Sequence, residues 1–412
     1  VADTSKATEV DTAPIVHALL SAAAVRERCH WCLEAAHNNA LTHFQLNAEA
    51  LNACAEFVAE ETRTNYPDLN VPFHSRWRHF ETSKGDLSRE VLGTPIFNDL
   101  DYCRSALDLA IISVLLDAGA GDQWHFHDET TATQYVRSEG LAVASLRMFA
   151  EGLFSSDKQQ PHRADGTALR KLDTNLVGAA LQVTADNPLP GLSDRVALLN
   201  SLGSVLSTNE VSSRTYRPAD LILSAISGDE ILAAELLTHV LSHLNEIWPH
   251  GLHCNNTPLG DVGRHPVADR SQHSAGLIPF HKLSQWLVYS LLEPLSWGGI
   301  KVAQLDGLTG LAEYRNGGLF IDSGVITPID PALGAQILTP DAQPIVEWRA
   351  LTVALLDELA PLVRACLGLQ STTFPLARIL QGGTWSAGRR LAQQHRPDGT
   401  PPLNIKLTGT LF

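Results

Sequence analysis

Residues 279–318 read PFHKLSQWLVYSLLEPLSWGGIKVAQLDGLTGLAEYRNGG, two helical segments joined by a Gly-rich turn. At 100° per residue, Lys282, Gln285, Trp286, Tyr289 and Glu293 share one face, and Leu283, Leu287 and Leu291 share another. The spacing predicts a helix over 280–293 that stops at Pro294, which has no N–H to continue the ladder. A second stripe of Lys, Gln, Trp and Tyr is unusual on a surface helix and reads better as the wall of a cleft. A second helix is predicted over 307–315, with Asp306 as its N-cap, Glu313, Tyr314 and Arg315 at its end, and Asn316 and Gly317 as its stop.

Composition sets the frame around these helices. A chain of 412 residues buries a large core, and 44% hydrophobic with 18% charged residues is a globular mixture. A net charge of −15 argues against nucleic acid or an anionic membrane as main partner, since both need a basic face. It leaves room for a small phosphate site built from a few Arg and Lys. No apolar run reaches the ~18–20 residues of a membrane span, and VADTSKATEVDTAP has no signal-peptide pattern. The six cysteines are scattered and read as reduced thiols, so a cytoplasmic location is expected.

Residues 1–14 read as a loose lead-in and 15–63 as two long helices. These carry Cys29 and Cys32 as CHWC, with His37 and His43 downstream; without a second CxxC pair, helix packing is preferred to a zinc or redox site. Residues 101–117 form an apolar core helix that breaks at AGAGDQW, where Gly119 and Gly121 permit a tight turn or close ligand approach and Asp117 and Trp124 flank it. No strand precedes that GxG, so a dinucleotide site is rejected. His125 and His127 alternate in WHFHDE but lack a third metal ligand. Residues 136–154 read as a helix opened by Arg137, Ser138 and Glu139, either a cap and salt-bridge cluster or a cleft lining. The long 249–276 loop reads as a lid from which Asp261 and His265 reach the cleft or simply hold structure. A small β-hairpin is predicted over 319–329, a helix over 346–367, and a C-terminal strand that pairs with the hairpin. With no repeat and no clean linker, residues 15–412 are expected to form a single mostly-α unit.

The phrases PFHKLSQWL, LTGLAEYRNGGLF, HSRWRHF, RSEGLAVAS and VEWRALTV resemble the uracil catabolism protein 4 family over nearly the whole chain. More distantly, HKLSQWL and LTGLAEYR are similar to the KRAQ and FADYR motifs of queuosine-salvage nucleosidases, over about forty residues. That resemblance implies a compact helical, DNA-glycosylase-like fold. Lys282 and Gln285 stand at the Lys and Gln of the first motif, and Glu313, Tyr314 and Arg315 at the Asp-Tyr-Arg of the second. Glu in place of Asp moves the carboxylate out by a methylene. The resemblance places the chain in a pathway that takes uracil through a ribosylated form, opens the ring and releases urea. It also favours a phosphate clamp over a solvated basic loop at His74, Arg76 and Arg78; in an extended segment both guanidinium groups would share one side.

The constellation lacks a cysteine nucleophile, GxSxG, HExxH or P-loop. A carboxylate beside an aromatic-lined cleft suits glycosidic cleavage, because the transition state is positive on the sugar. The expected activity is hydrolysis of the N-ribosyl bond of ribosylurea, or its 5′-phosphate, to urea and ribose (phosphate). Glu313, Lys282 and Tyr314 would be catalytic, with Lys282 as leaving-group donor or phosphate ligand. Substrate contacts are expected from His74, Arg76, Arg78, Asp117, Trp124, Arg137, Glu139, His281, Gln285, Trp286, Asp306, Arg315 and Asn316, with Trp286 or Trp124 against the flat urea group. Asp306 reads as a helix cap rather than a second catalytic acid. No cofactor or metal is expected. The rivals are a metal-dependent amidohydrolase acting on a ring-opened ureido compound and a non-catalytic ligand-binding pathway protein.

Overall fold

Helices that are apolar all round mark the centre of the molecule. The computed structural model describes residues 13–95, 97–208, 216–248, 251–254, 257–270 and 276–406. Ten helices of nine residues or more lie among them: α1 (Ala22–His37), α2 (Ala50–Asn65), α3 (Leu100–Leu116), α4 (Arg137–Ala150), α5 (Leu192–Thr208), α6 (Ala233–Leu244), α7 (Lys282–Trp297), α8 (Tyr314–Asp322), α9 (Gln343–Leu367) and α10 (Trp385–His395). The chain is mostly α. The described strands are short and form seven two-stranded pairs. Every residue of α3 from Ala106 to Leu116 is buried, and so is every residue of α9 from Ile345 to Leu356. Core positions all round a helix need neighbours on every side. Helix α9 packs against α1, α2 and α8, α7 against α3, and α3 against α4. Among the described residues no helix is long and apolar enough to cross a membrane.

Helix α7 does not stop at Pro294. It runs on to Trp297 with Pro294 inside it. A proline leaves the carbonyl four residues earlier without its helical donor, here that of Ser290. The indole N–H of Trp77 donates to that carbonyl at 2.9 Å, so the orphan acceptor becomes the dock for the HSRWRHF segment.

The next helix also departs from the pattern its sequence suggests. Residues 305–307 make only a 3-10 turn, and the helix begins at Tyr314, not Gly307. Its N-cap is Glu313, whose carboxylate accepts from the backbone N–H of Arg315 at 2.7 Å and of Asn316 at 2.5 Å. Asn316, Gly317 and Gly318 lie inside the helix instead of ending it. The glycines serve close packing: a Cβ on Gly317 would sit 2.6 Å from the Trp348 ring. On the facing α10, a Cβ at Gly388 would overlap the carbonyl oxygen of Arg315. Gly388→Ala is therefore expected to destabilise the protein by about 1–3 kcal/mol, measured by denaturant unfolding.

The predicted hairpin over 319–329 is absent as such, because its first arm belongs to α8. Its second arm, Ile326–Pro328, pairs antiparallel with Phe44–Leu46. The terminal strand Asn404–Ile405 pairs in parallel with Ile337–Leu338. Gly119 and Gly121 form a turn whose carbonyl side is taken by the buried guanidinium of Arg195, which donates to Leu116, Ala118 and Gly119. That turn is braced by protein.

Candidate active site

The segment expected to be extended is a single 3-10 turn, Arg76–His79, seated on α7. Ser290 Oγ accepts the backbone N–H of Arg76 at 2.9 Å, beside the Trp77 contact. At three residues per turn, side chains two apart diverge by about 120°, so Arg76 and Arg78 do not share a side. Arg78 pairs with Glu81 and Glu293, at 2.7 and 2.6 Å. Arg76 is fully buried. Its Nε donates to Ser113 Oγ at 2.6 Å, and its Nη1 to Asp117 Oδ2 at 3.0 Å, to the Ser138 carbonyl at 3.2 Å and to His79 Nδ1 at 3.2 Å. The guanidinium lies 5.5 Å from the Trp286 ring centroid, and the His79 ring meets the same indole edge-on at 5.9 Å.

Lys282 and Glu313 are brought together by a buried ion pair. Arg349 of α9 grips Asp261 with two N–H···O bonds of 2.7 Å. Asp261 Oδ2 also accepts the backbone N–H of Lys282 at 3.0 Å, and Arg349 Nε reaches the Ala312 carbonyl at 3.4 Å. One ion pair thus ties down the first residue of α7 and the residue before Glu313. Gln285 locks the adjoining loop, exchanging bonds of 2.6 and 2.9 Å with Thr309. His281 takes a left-handed φ of 48° and donates its Nε2–H to the Leu19 carbonyl at 3.0 Å.

Electrostatic interactions link the charged and titratable groups of this cluster. Lys282 is stabilised in its charged form by Glu313 and Asp117. Tyr314 feels Glu313, Arg137 and Asp117; His74 feels Lys282; His79 feels Arg76, Asp117 and His74. His74, His79, Lys282 and Tyr314 are densely surrounded by protein, yet each stays partly water-accessible. Arg137 is exposed at the rim, with a left-handed φ of 53°. Arg137, Lys282 and Tyr314 are each the first residue of a helix. Three helix N-termini thus belong to this cluster, that of α8 capped by Glu313 and that of α7 by Asp261.

Burial pushes the Lys282 ammonium below its ordinary range against the pull of Glu313. Burial raises the Glu313 carboxyl, opposed by the Arg315 and Asn316 N–H groups and by Lys282. Burial brings His74 down to about 4, and burial with the neighbouring Arg76 brings His79 down to about 3. Both imidazoles are neutral at pH 7.

Several expected contacts lie elsewhere. Trp124 is fully buried and donates its indole N–H to the Leu181 carbonyl at 3.0 Å; of the two expected tryptophans it is Trp286 that borders Arg76 and His79. Asp306 neither caps a long helix nor joins the cleft, accepting instead from Arg364 and the Leu376 N–H, both at 2.8 Å. Gln285 and His281 spend their polar groups on the protein and act as framework. Arg315 turns away to the Gly399 carbonyl at 2.8 Å. Asn316 contributes its backbone to Glu313 and its side-chain amide to the Leu311 carbonyl at 3.3 Å. Glu139 is exposed on the first turn of α4.

Three residues outside the expected set matter here. His79 sits in the quoted HSRWRHF motif, Asp261 in the long loop, and Arg349 at the head of a predicted helix. Each was visible, but only tertiary packing joins them. Cys29 and Cys32 are buried on α1, where burial raises both thiols far above their ordinary range. His127 is exposed on a strand paired with residues 133–136, and His125 beside it is partly exposed. Among the described residues no three His, Cys, Asp or Glu side chains are grouped to hold a metal ion.

Comparison with known proteins follows the whole chain rather than the cleft alone. The family described as Protein of unknown function (DUF1688) matches residues 18–412. The chain is 38% identical to Protein urg3 of Schizosaccharomyces pombe over 406 residues, covering 96% of this chain and 98% of that protein. It is 34% identical to Uracil catabolism protein 4 of Lachancea kluyveri over 413 residues, covering 90% and 92%.

Proposed function

The chain belongs to the DUF1688 family, and from that premise we propose that it is an N-ribosyl hydrolase of uracil catabolism, cleaving ribosylurea or its 5′-phosphate to urea and ribose (phosphate). The carrying observation is the Glu313 carboxylate. Two backbone N–H groups fix it at the head of α8, in the cleft that holds Lys282. A carboxylate held this way is already oriented before the substrate arrives, so it stabilises developing positive charge at the sugar without reorganising. The pathway comes from the relative named Uracil catabolism protein 4.

In the reaction the C1′–N bond breaks with its electron pair going to the urea nitrogen. Water oxygen bonds to C1′, Glu313 takes the water proton, and the urea nitrogen gains a proton. Lys282 or Tyr314 supplies the hydrogen bond or proton to the leaving group. A 5′-phosphate would lie against the first turns of α4 and α7, beside Arg137 and Lys282. Arg76 Nη2 and Trp286 Nε1 are buried donors without a protein acceptor. Each such donor costs about 1–3 kcal/mol when left unpaired, and a polar substrate would satisfy them.

Product analysis tests the reading: urea and reducing sugar are expected in equal amounts. Ammonia in place of urea would point to an amidohydrolase and overturn it. The pH dependence is a second check. Activity needs ionised Glu313, so kcat falls as pH drops through its raised pKa, above the ordinary 4.5. It falls again as pH rises through the lowered pKa of Lys282, below 10.5. His74 and His79 titrate near 4 and 3 and add no inflection at their ordinary 6.5. An acid limb at or below 4.5 contradicts the role of Glu313 as base.

A further inference from the structure

We propose that His79 and His74 form the recognition site for the ureido group itself: His79 Nε2–H donates to its carbonyl oxygen, and the His74 Nε2 lone pair accepts from its terminal NH2. The assignment rests on the N-ribosyl hydrolase reading and specifies how that site knows its leaving group.

The two ring tautomers are set by neighbouring side chains. Arg76 Nη1 faces His79 Nδ1 at 3.2 Å. A guanidinium has only protons to give, so this Nδ1 is the acceptor and the neutral ring carries its proton on Nε2. His74 is fixed the other way. Its Nδ1 faces Gln381 Oε1 at 3.0 Å, and the amide nitrogen of Gln381 is directed to Tyr66 Oη at 3.1 Å. The proton of His74 is therefore on Nδ1, and Nε2 is a lone pair. Among the described residues neither Nε2 has a hydrogen-bond partner, and both histidines remain partly exposed in the cleft. His79 follows His74 by five residues, at the end of the 3-10 turn that starts just after it, and the two rings lie within electrostatic reach of each other. The edge-on contact with Trp286 at 5.9 Å holds the His79 ring in place.

One fixed donor beside one fixed acceptor matches a group that offers a carbonyl oxygen and an N–H together. The ureido group does so, and its flat face suits Trp286. The charged groups around the pair are Arg76, Arg78, Asp117 and Lys282. As C1′–N breaks, the departing pair delocalises onto the urea oxygen. A donor already aimed at that oxygen gains strength in the transition state, and a neutral imidazole polarises a carbonyl without losing its proton.

The test compares ribosylurea with 4-nitrophenyl riboside, whose leaving group needs no such help, each with or without a 5′-phosphate as wild type prefers. His79→Ala is expected to lower kcat/KM for ribosylurea about 100-fold and to keep the nitrophenyl activity within about threefold, which also shows that the variant folds. His79→Gln, which restores an N–H donor, should recover at least about tenfold of the loss. His74→Ala is expected to raise KM more than it lowers kcat. Equal losses on both substrates in His79→Ala overturn the assignment. Wild type that cleaves neither compound overturns the hydrolase reading and this assignment with it. Nitrogen-15 histidine NMR at pH 7 tests the tautomers independently of turnover: protonated Nε2 on His79 and protonated Nδ1 on His74 are expected, and the reverse pattern overturns the proposal even if the nitrophenyl compound is not accepted.

Discussion

Replacing Glu313 by Gln is expected to lower kcat for urea release by about 10²–10⁴-fold, with substrate affinity changed only a few-fold. The amide is nearly isosteric, so it keeps the shape of the cleft. It removes the charge that faces the sugar and the base that takes the water proton. It also weakens the start of α8, because only one amide oxygen remains for the N–H groups of Arg315 and Asn316, which are now held at 2.7 and 2.5 Å. The loss of that cap costs about 1 kcal/mol, far less than the kinetic effect, so steady-state kinetics and thermal unfolding together separate the two roles. Glu313→Asp keeps the charge and draws it back by a methylene. Its activity should fall between wild type and Glu313→Gln.

Arg349→Met is expected to destabilise the fold by about 3–5 kcal/mol, the usual cost of stranding one partner of a buried ion pair. The Arg349 side chain is only 4% exposed, and its guanidinium sits 4.0 Å from the Phe280 ring centroid. Removing it leaves the Asp261 carboxylate surrounded by protein with its main partner gone. Burial alone would raise Asp261, but Arg349, helped by the Lys282 N–H and His281, holds the carboxyl below its ordinary 3.8. The stability this contributes is present above that ordinary value and is lost as pH falls through the folded-state pKa. In the Met variant burial is no longer offset by Arg349, so the trend should reverse, with part of the lost stability returning as pH falls and the Asp261 carboxyl takes up a proton. Asp261→Asn combined with Arg349→Met should cost less than the two single changes added, as read by denaturant unfolding at several pH values. Activity should fall in the single variants too, since this pair ties down the residues on which Lys282 and Glu313 are mounted.

The main helices were legible because their apolar periods are long: residues 101–117 and 346–367 each announce a buried helix. What failed was punctuation. Pro294 reads as a stop, yet it lies inside α7, because Trp77 from a distant segment supplies the donor that proline removes. Asn316 and Gly317 read as a terminus, yet both lie inside α8, where Gly317 leaves room for the Trp348 ring. Asp306 is a good N-cap by type, but Glu313 fills that role on the helix that forms.

The candidate site divides in the same way. Lys282, Glu313, Tyr314, Asp117 and Trp286 could be singled out from local motif chemistry, and the fold gathers them. Gln285, His281 and Asp306 carry equally suggestive side chains, but their hydrogen bonds are spent on the protein. Nothing in a one-dimensional pattern separates a side chain that faces a cleft from one that closes a loop behind it. The Asp261–Arg349 pair spans 88 residues of sequence, and no local spacing reports such a contact.

The most direct measurement is urea release from ribosylurea and its 5′-phosphate by wild type and by Glu313→Gln, with and without chelator. Urea appearing with an equal amount of sugar, unaffected by chelator and lost in Glu313→Gln, is the expected result. Failure of wild type to release urea from either compound, or a Glu313→Gln variant as active as wild type, would contradict it.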